Sequence, residues 1–142
     1  MNSSIVFVAS SPISVVTFLL PHIGVLKTLA PVHVLANTTE SALLKQRGLD
    51  VAIDFVPIVR PISVWYDFKA FWILFLQFTR NQPLAVHTIT PKAGLLGMAA
   101  AWLARVPIRT HSFTGQVWAN KVGFKRWLLK FCDKLTAMFA TD

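Results

Sequence analysis

The chain has 142 residues, which is enough for one domain and too few for two of ordinary size. Hydrophobic residues make up 54% of it and charged residues 14%, which excludes a disordered protein, and its single cysteine, Cys132, excludes an intramolecular disulfide and suits a reducing cytoplasm. The formal net charge is +8, and because the basic residues stand among five Trp and eleven Phe, this charge favours an anionic membrane surface over a nucleic acid as the partner.

The first 26 residues contain no charged side chain, so a transmembrane helix has to be considered. The Ser-Ser-Pro sequence at residues 10–12 interrupts the apolar run, and the first residues lack the positive charge of a secretory signal. We therefore predict a buried strand over residues 5–9 and, after a turn, a helix over residues 13–29. A spanning helix is the alternative.

The next part of the chain alternates between strand and helix patterns. Residues 31–37 predict a second strand, and residues 38–47 predict a short helix that ends at Gly48. Residues 49–58 alternate apolar and polar side chains, which predicts a third strand. Residues 64–78 are apolar on nearly all sides but too short to span a membrane, so we predict a helix that is partly buried and partly in contact with lipid.

Two further strands, over residues 84–89 and 108–113, enclose a helix predicted over residues 91–105. Thr90 stands at the N-cap of this helix and Pro91 at its first position, where each residue type is favoured. An apolar stripe at helical spacing is formed by Leu95, Met98, Ala99, Trp102 and Leu103.

The opposite flank of that helix carries two small residues, Gly94 and Gly97, which let a helix approach a sheet closely. Strands that alternate with helices form βαβ units and a parallel sheet. We therefore predict an α/β fold, a Rossmann-like parallel sheet flanked by helices, in a single domain over residues 1–142.

Residues 123–139 predict an amphipathic helix. Its apolar stripe contains Trp127, Leu128, Phe131, Leu135 and Met138. Its basic residues, with those just before it, are Lys121, Lys125, Arg126, Lys130 and Lys134. Such a basic stripe is either a solvated helix face or a surface that attracts anionic lipid head groups or a pyrophosphate-bearing ligand, and we take its five residues as candidate membrane contacts.

Three loops follow strands of the predicted sheet, at the edge where open α/β sheets bind ligands. The candidate substrate contacts in these loops are Ser10, Ser11, His87, Thr90, Lys92, Gly94, Thr114, Gly115 and Gln116. Lys92, in the first turn of a helix, predicts an anion site. His87 and His111 end neighbouring strands, so we expect their loops to face one cleft, although a lone histidine at a strand end is more often a hydrogen-bonded structural residue.

We expect neither a metal nor a cofactor. The four histidines are widely spaced and there is one cysteine, which does not match the spacing of zinc ligands. The sequence contains no GxGxxG and no Walker motif. Cys132 falls in the middle of a predicted helix, where a packing role is more common than a nucleophilic one.

Two blocks, residues 86–100 and residues 106–118, resemble bacterial glycosyltransferases. They contain, in order, His87-x-x-x-Pro91-x-x-Gly94, a helix of small residues, Val-Pro, a strand and His111. The resemblance is to the N-terminal domain of retaining GT-B enzymes of the large family-four class, and it is strongest over residues 84–121.

The resemblance implies the N-terminal half of a GT-B fold, whose two Rossmann-like domains enclose the active site. This half binds an acceptor on a polyprenyl phosphate and docks on the cytoplasmic face of the plasma membrane, while the other half binds the nucleotide-sugar donor. His111 would lie near the transferred sugar as the catalytic residue, with His87 lining the same cleft. The implied reaction transfers a sugar to a lipid-linked acceptor in O-antigen or capsule synthesis.

Two features depart from the family's pattern. Ser10 and Ser11 replace a Gly-Gly loop, and 142 residues hold no donor-binding C-terminal domain. The chain alone is therefore expected to be inactive, as a domain incomplete at its C-terminus or as one subunit of a split enzyme. A non-catalytic membrane adaptor is the rival interpretation.

Overall fold

Five apolar runs of the sequence form one parallel sheet. The computed structural model describes residues 2–142, and its strands are β1 (Asn2–Ala9), β2 (Val32–Ala36), β3 (Ala52–Phe55), β4 (Pro83–Ile89) and β5 (Ile108–Ser112). Their order across the sheet is β3-β2-β1-β4-β5. This order is that of a Rossmann-type sheet, and it confirms the predicted α/β fold.

Helices connect the strands. They are α1 (Pro12–Ser14), a π-helical turn (Val15–Leu19), α2 (Leu20–Leu26), α3 (Ser41–Gln46), α4 (Val64–Asn81), α5 (Pro91–Leu103) and α6 (Gly123–Phe139). The first part of the chain is thus a strand followed by short helical pieces, as predicted, while Met1 lies outside the described residues. None of the helices in residues 2–142 is long and apolar enough to cross a membrane.

The two faces of the sheet bury different side chains because residues alternate along each strand. Val6, Val8 and Val86 face α4 and α5 on one side. Phe7 and Ile89 face the π-helical turn, α2 and α3 on the other side. Helix α6 also packs against α5, so we call the helices on the first side the α4–α6 layer. The helices on the second side, together with the π-helical turn, are the α1–α3 layer.

Helix α5 lies very close to the sheet, as its glycines predict. A Cβ atom at Gly97 would stand 2.6 Å from Cγ2 of Thr88, and one at Gly94 would stand 2.7 Å from Nδ1 of His111. Both distances are shorter than packed carbon atoms allow. Small residues at these positions therefore set the height of α5 above β4 and β5.

The predicted apolar stripe of α5 is correct only in part: Met98 is buried, and Leu95 and Ala99 are half-buried. Trp102 and Leu103 are about half exposed. The buried residues are Ala93, Gly94, Gly97, Met98, Ala100 and Ala101. Helix α5 packs between α4 and α6 and lies close to the sheet, so its buried sides have room mainly for small residues. A prediction based on the largest hydrophobic residues therefore placed the buried face partly on the wrong side of the helix.

Helix α4 is partly buried, as predicted. Ala70, Leu74 and Phe78, spaced four residues apart, face the core. The helix continues three residues beyond the predicted end to Asn81, and Gln82 then turns the chain into β4 with φ of 42°.

The third strand is shorter than predicted, because only Ala52–Phe55 pairs with β2. Helix α6 has the predicted bounds, but its predicted apolar stripe is split: Leu128 and Leu135 are partly buried, whereas Trp127, Phe131 and Met138 are exposed.

Candidate functional site

The loops after β1 and β4 meet at the carboxyl edge of the sheet. Ser10 donates hydrogen bonds to Oγ1 of Thr90 from its hydroxyl at 2.9 Å and from its backbone N–H at 3.3 Å. Thr90 occupies the N-cap position of α5 and Pro91 its first position, as predicted, although the Thr90 side chain makes no capping bond. Its φ of 78° is rare for a β-branched residue, and such strain often marks a functional site.

Lys92 is engaged rather than free. Its Nζ lies 2.6 Å from Oδ1 of Asp67 and donates a hydrogen bond of 2.5 Å to the carbonyl of Pro61. Asp67 also accepts a bond from the backbone N–H of Ser63 through Oδ2. The predicted phosphate cation therefore joins the first turns of α4 and α5, and an anion would have to compete with a partly buried carboxylate for it.

His111 lies on β5 beneath the first turn of α5. Its Nδ1 is 2.7 Å from Oγ1 of the buried Thr88, and its ring packs edge-to-face on Phe113. Burial, with the nearby His87 second, lowers the pKa of His111 to about 4, so the ring is neutral at neutral pH. Among the described residues, no bond is made by Nε2, which keeps contact with solvent.

His87 points to the other face of the sheet, so the two histidines do not share a cleft as we expected. His87 pairs with Thr110 on β5, and the next pair along the two strands is Thr88 with His111. Successive pairs point to opposite faces of a sheet. Nδ1 of His87 is 2.6 Å from Oγ1 of Thr110 and its Nε2 is 3.1 Å from Oγ of Ser112. Burial lowers the pKa of His87, and the nearby His22 lowers it further.

Two cavities flank the sheet. The one beneath His87, of about 460 Å³, lies on the side of α2 and is lined in part by Thr114. The other, of about 550 Å³, lies between α4, α5 and α6. It contains three of the predicted contacts, Ser10, Thr90 and Lys92, whereas His111 lines neither cavity.

The loop after β5 leaves the other predicted contacts at the surface. Thr114, Gly115 and Gln116 are exposed, and a Cβ atom at Gly115 would meet no atom within 4 Å. Ser11 stands just before α1 and is half-buried. The backbone carbonyl of Gln116 accepts a turn bond from Ala119.

All five predicted membrane contacts are exposed on or just before α6. Two of them lie over the ring of Trp118, Lys130 at 4.4 Å from its centroid and Arg126 at 5.6 Å. The indole N–H of Trp118 donates a 2.8 Å bond to Asp133. The loop before α6 is thereby attached to the basic face of the helix.

Exposed aromatic rings accompany this basic face. On α6, Phe124, Trp127 and Phe131 stack in sequence with centroids 5.6 to 5.8 Å apart. On the first half of α4, Trp65 is 74% exposed and Phe68 stacks on Trp72. Because α4 and α6 both pack against α5, both aromatic groups lie on the same side of the sheet as the larger cavity.

No protein-family model matches the chain. Over 111 residues, or 78% of its length, it is 32% identical to the capsular polysaccharide biosynthesis glycosyltransferase CapM of Staphylococcus aureus. The chain spans only 28% of CapM.

Solved structures share its fold. MurG of Acinetobacter baumannii matches 92% of the chain and 38% of its own length, with a TM-score of 0.59 and 20% identity. The UDP-GlcNAc 2-epimerase of Neisseria meningitidis bound to UDP-GlcNAc matches 96% and 38%, with a TM-score of 0.69 and 16% identity.

The chain is a glycosyltransferase-like unit of the GT-B type. This confirms the resemblance carried by residues 86–118. The glycosyltransferase-like unit covers well under half of each protein described above.

Sequence reasoning missed several residues of this site. Asp67 was visible only as a break in an apolar segment, and nothing in the sequence pairs it with Lys92, 25 positions later. Arg60, which lines the larger cavity, stands one residue before Pro61 in a loop with no motif. Trp118 lay inside the resembling block, but its contact with Asp133 depends on how the loop folds over α6.

Proposed function

We propose that this chain is the N-terminal, acceptor-binding unit of a glycosyltransferase in bacterial surface polysaccharide synthesis. The reaction transfers a sugar from a nucleotide-sugar donor to an acceptor linked to a polyprenyl phosphate. The observation that carries this proposal is the 32% identity to a capsule glycosyltransferase over 78% of the chain. The enzyme would act as a peripheral protein at the cytoplasmic face of the plasma membrane.

His111 is the residue we assign to the transferred sugar. A neutral imidazole with Nδ1 held by Thr88 has a fixed orientation and a free Nε2 that can hydrogen-bond a sugar hydroxyl. Gly94 supports this role because any side chain there would displace the ring. His87, whose ring nitrogens bond hydroxyls of β5, is left to join two strands.

The remaining polar contacts are assigned to the acceptor. Ser10 and Thr90 hold one another at the carboxyl edge, and hydroxyl pairs of this kind can exchange a mutual bond for bonds to a ligand. Ser11, Thr114, Gly115 and Gln116 sit in the two loops that frame the same edge. Lys92 takes part only if an anion displaces Asp67.

Docking on the membrane is assigned to α4 and α6. Amphipathic rings such as Trp favour the interfacial zone of a bilayer, and each nearby Lys or Arg adds about 1 kcal/mol of attraction to an anionic leaflet. Trp65 on α4 and Trp127 on α6 supply exposed rings, and Lys125 and Lys134 supply exposed charges on α6.

The donor is assigned to a second unit. A structural neighbour of this chain holds UDP-GlcNAc, which supports a nucleotide sugar as the donor class. The second candidate is a non-catalytic membrane adaptor, which the exposed rings and basic residues of α4 and α6 favour.

The test is transfer of labelled sugar from nucleotide sugars into the lipid extract of membranes from the source cells. Deletion of the gene should abolish one labelled lipid, and the wild-type gene should restore it. His111→Ala should restore it at a rate at least tenfold lower, since a hydrogen bond to the reacting sugar contributes about 1.5 kcal/mol or more. His33→Ala, on β2, is the control and should restore it fully.

Two outcomes count against the proposal. An unchanged lipid extract after deletion would contradict a role in lipid-linked transfer. Full restoration by His111→Ala would contradict the assigned site and favour the adaptor.

A further inference from the structure

The cavity between α4, α5 and α6 has mostly apolar walls. These walls are formed by Ile62, Leu95, Leu96, Val117, Leu128, Leu129 and Cys132. At about 550 Å³ it is large enough for a ligand of drug size. A nucleotide or a free sugar would leave many hydroxyl groups without partners against such walls, which is unfavourable.

The charged side chains of this cavity have hydrogen-bonding partners, with one exception among the described residues. Lys92 is paired with Asp67, Asp133 accepts from Trp118, and Ser10 bonds Thr90. Arg60 makes no hydrogen bond and no ion pair among the described residues, and it is exposed. Within residues 2–142 the cavity therefore offers one free cation.

That cation stands at the entrance of the cavity. Arg60 and Ile62 line it from the segment that leads into α4, and Ile62 is 73% exposed. The exposed rings of α4 continue from this point, beginning with Trp65. The entrance thus combines a positive charge with an apolar surface that runs into the aromatic group of α4.

We propose that this cavity binds the hydrocarbon chain of a phosphate-headed membrane lipid, with the phosphate at Arg60. This inference rests on the proposed function and names the position of its lipid: the chain enters between α4 and α6, and the phosphate stays at the entrance. Arg60, rather than Lys92, is then the cation that selects the phosphate. Guanidinium binds phosphate through paired hydrogen bonds, and among the described residues no carboxylate would have to be displaced from Arg60.

Cys132 provides a built-in probe because it is the only cysteine and it lines the cavity. Burial, followed by the charge of Asp133, raises the pKa of this thiol, so its alkylation by iodoacetamide is best followed at about pH 8.5. Farnesyl phosphate, below its micelle concentration, is the ligand probe. It should slow alkylation of Cys132 in a saturable way, and calorimetry on the same sample gives the Kd.

Four comparisons define the result expected. Arg60→Gln should raise the Kd for farnesyl phosphate about tenfold, through loss of a charge-assisted bond, while Arg80→Gln, at the far end of α4, leaves it unchanged. Leu129→Trp should fill the cavity and abolish protection, while Ala137→Trp, on the exposed side of α6, does not. Farnesol should bind about as weakly to the wild type as farnesyl phosphate binds to Arg60→Gln. Inorganic phosphate alone should give no protection.

Other results overturn the inference. Equal Kd increases in Arg60→Gln and Arg80→Gln would mean general charge attraction, and retained protection in Leu129→Trp would mean that the chain binds elsewhere. Protection by inorganic phosphate alone would remove the hydrocarbon part. Because none of these measurements depends on sugar transfer, each can fail while the labelled-lipid test of the proposed function succeeds.

Discussion

The two helical layers bury the same sheet but leave different side chains at the surface. On the α1–α3 layer the exposed large hydrophobic residues are mainly aliphatic, such as Ile13, Val25 and Leu43, with Phe18 as an aromatic member. The α4–α6 layer and the loop before α6 hold all five tryptophans, at positions 65, 72, 102, 118 and 127. Four of these are about half exposed or more.

An amphipathic helix can serve two purposes: it covers the sheet with one face, and it can present a binding surface with the other. The α1–α3 layer serves only the purpose of covering the sheet. The α4–α6 layer covers the sheet with residues such as Gly97, Leu74 and Phe78, and it keeps most of its tryptophans exposed. A large exposed apolar patch with basic neighbours is typical of a binding surface rather than of a monomer's free surface.

The largest expected effect comes from the close packing of the α4–α6 layer. Gly97→Ala should lower the free energy of unfolding by about 3 kcal/mol, because its Cβ would collide with Thr88 and the helix would have to move. Gly24→Ala, on α2, has open space at its Cβ and should raise it by up to about 1 kcal/mol. Urea unfolding midpoints of the two variants measure the contrast, and equal changes would remove it.

The second effect concerns the exposed rings. The double variant Trp65→Ala and Trp127→Ala should weaken binding to anionic vesicles about 30-fold, on the order of 1 kcal/mol per ring. Phe18→Ala, on the α1–α3 layer, should leave binding unchanged. Co-sedimentation with vesicles measures both, and a loss of similar size in Phe18→Ala would show that either layer can meet the membrane.

The third effect is a pH dependence of stability that arises at His111, on strand β5 of the sheet between the two layers. The folded ring has a pKa near 4, whereas the unfolded chain protonates near 6.5, so the unfolded state gains a proton first as the pH falls. Stability should therefore drop by about 1–2 kcal/mol between pH 6.5 and pH 4, allowing for partial exposure of the ring. His111→Asn should lose part of this dependence in urea unfolding, and an unchanged pH profile would mean that the ring is not held neutral.

The smallest effect concerns single charges. Lys125→Gln or Lys134→Gln should each weaken binding to anionic vesicles about fivefold, corresponding to about 1 kcal/mol, and the loss should shrink at high salt. Lys45→Gln, on α3, is the matched control and should change binding little. If all three variants behave alike in co-sedimentation, the net charge of the chain rather than the α4–α6 layer controls docking.

The sequence predicted the sheet well because alternation and turn residues mark strands and helices locally. Gly94 and Gly97 even predicted the close approach of α5. The inner face of α5 was misjudged because Trp102 and Leu103 are more hydrophobic than the alanines that actually fit against the neighbouring helices.

The site was harder to predict because it depends on pairs that are distant in the chain. The prediction that His111 and His87 lie at neighbouring strand ends is confirmed. Their faces depend on the register between β4 and β5, because a shift of one residue moves a side chain to the other face of the sheet. In the observed register the two histidines lie on opposite faces. The partner of Lys92 lies 25 residues earlier, on a helix whose position only the whole fold determines.

Hydrogen exchange of the chain on anionic vesicles tests most directly whether the α4–α6 layer is the membrane-facing side of an acceptor-binding unit. Relative to the chain in solution, vesicles should slow exchange over residues 60–72 and 117–134 and leave residues 12–29 unchanged. Slowed exchange over residues 12–29 with none in the other two segments would contradict the account.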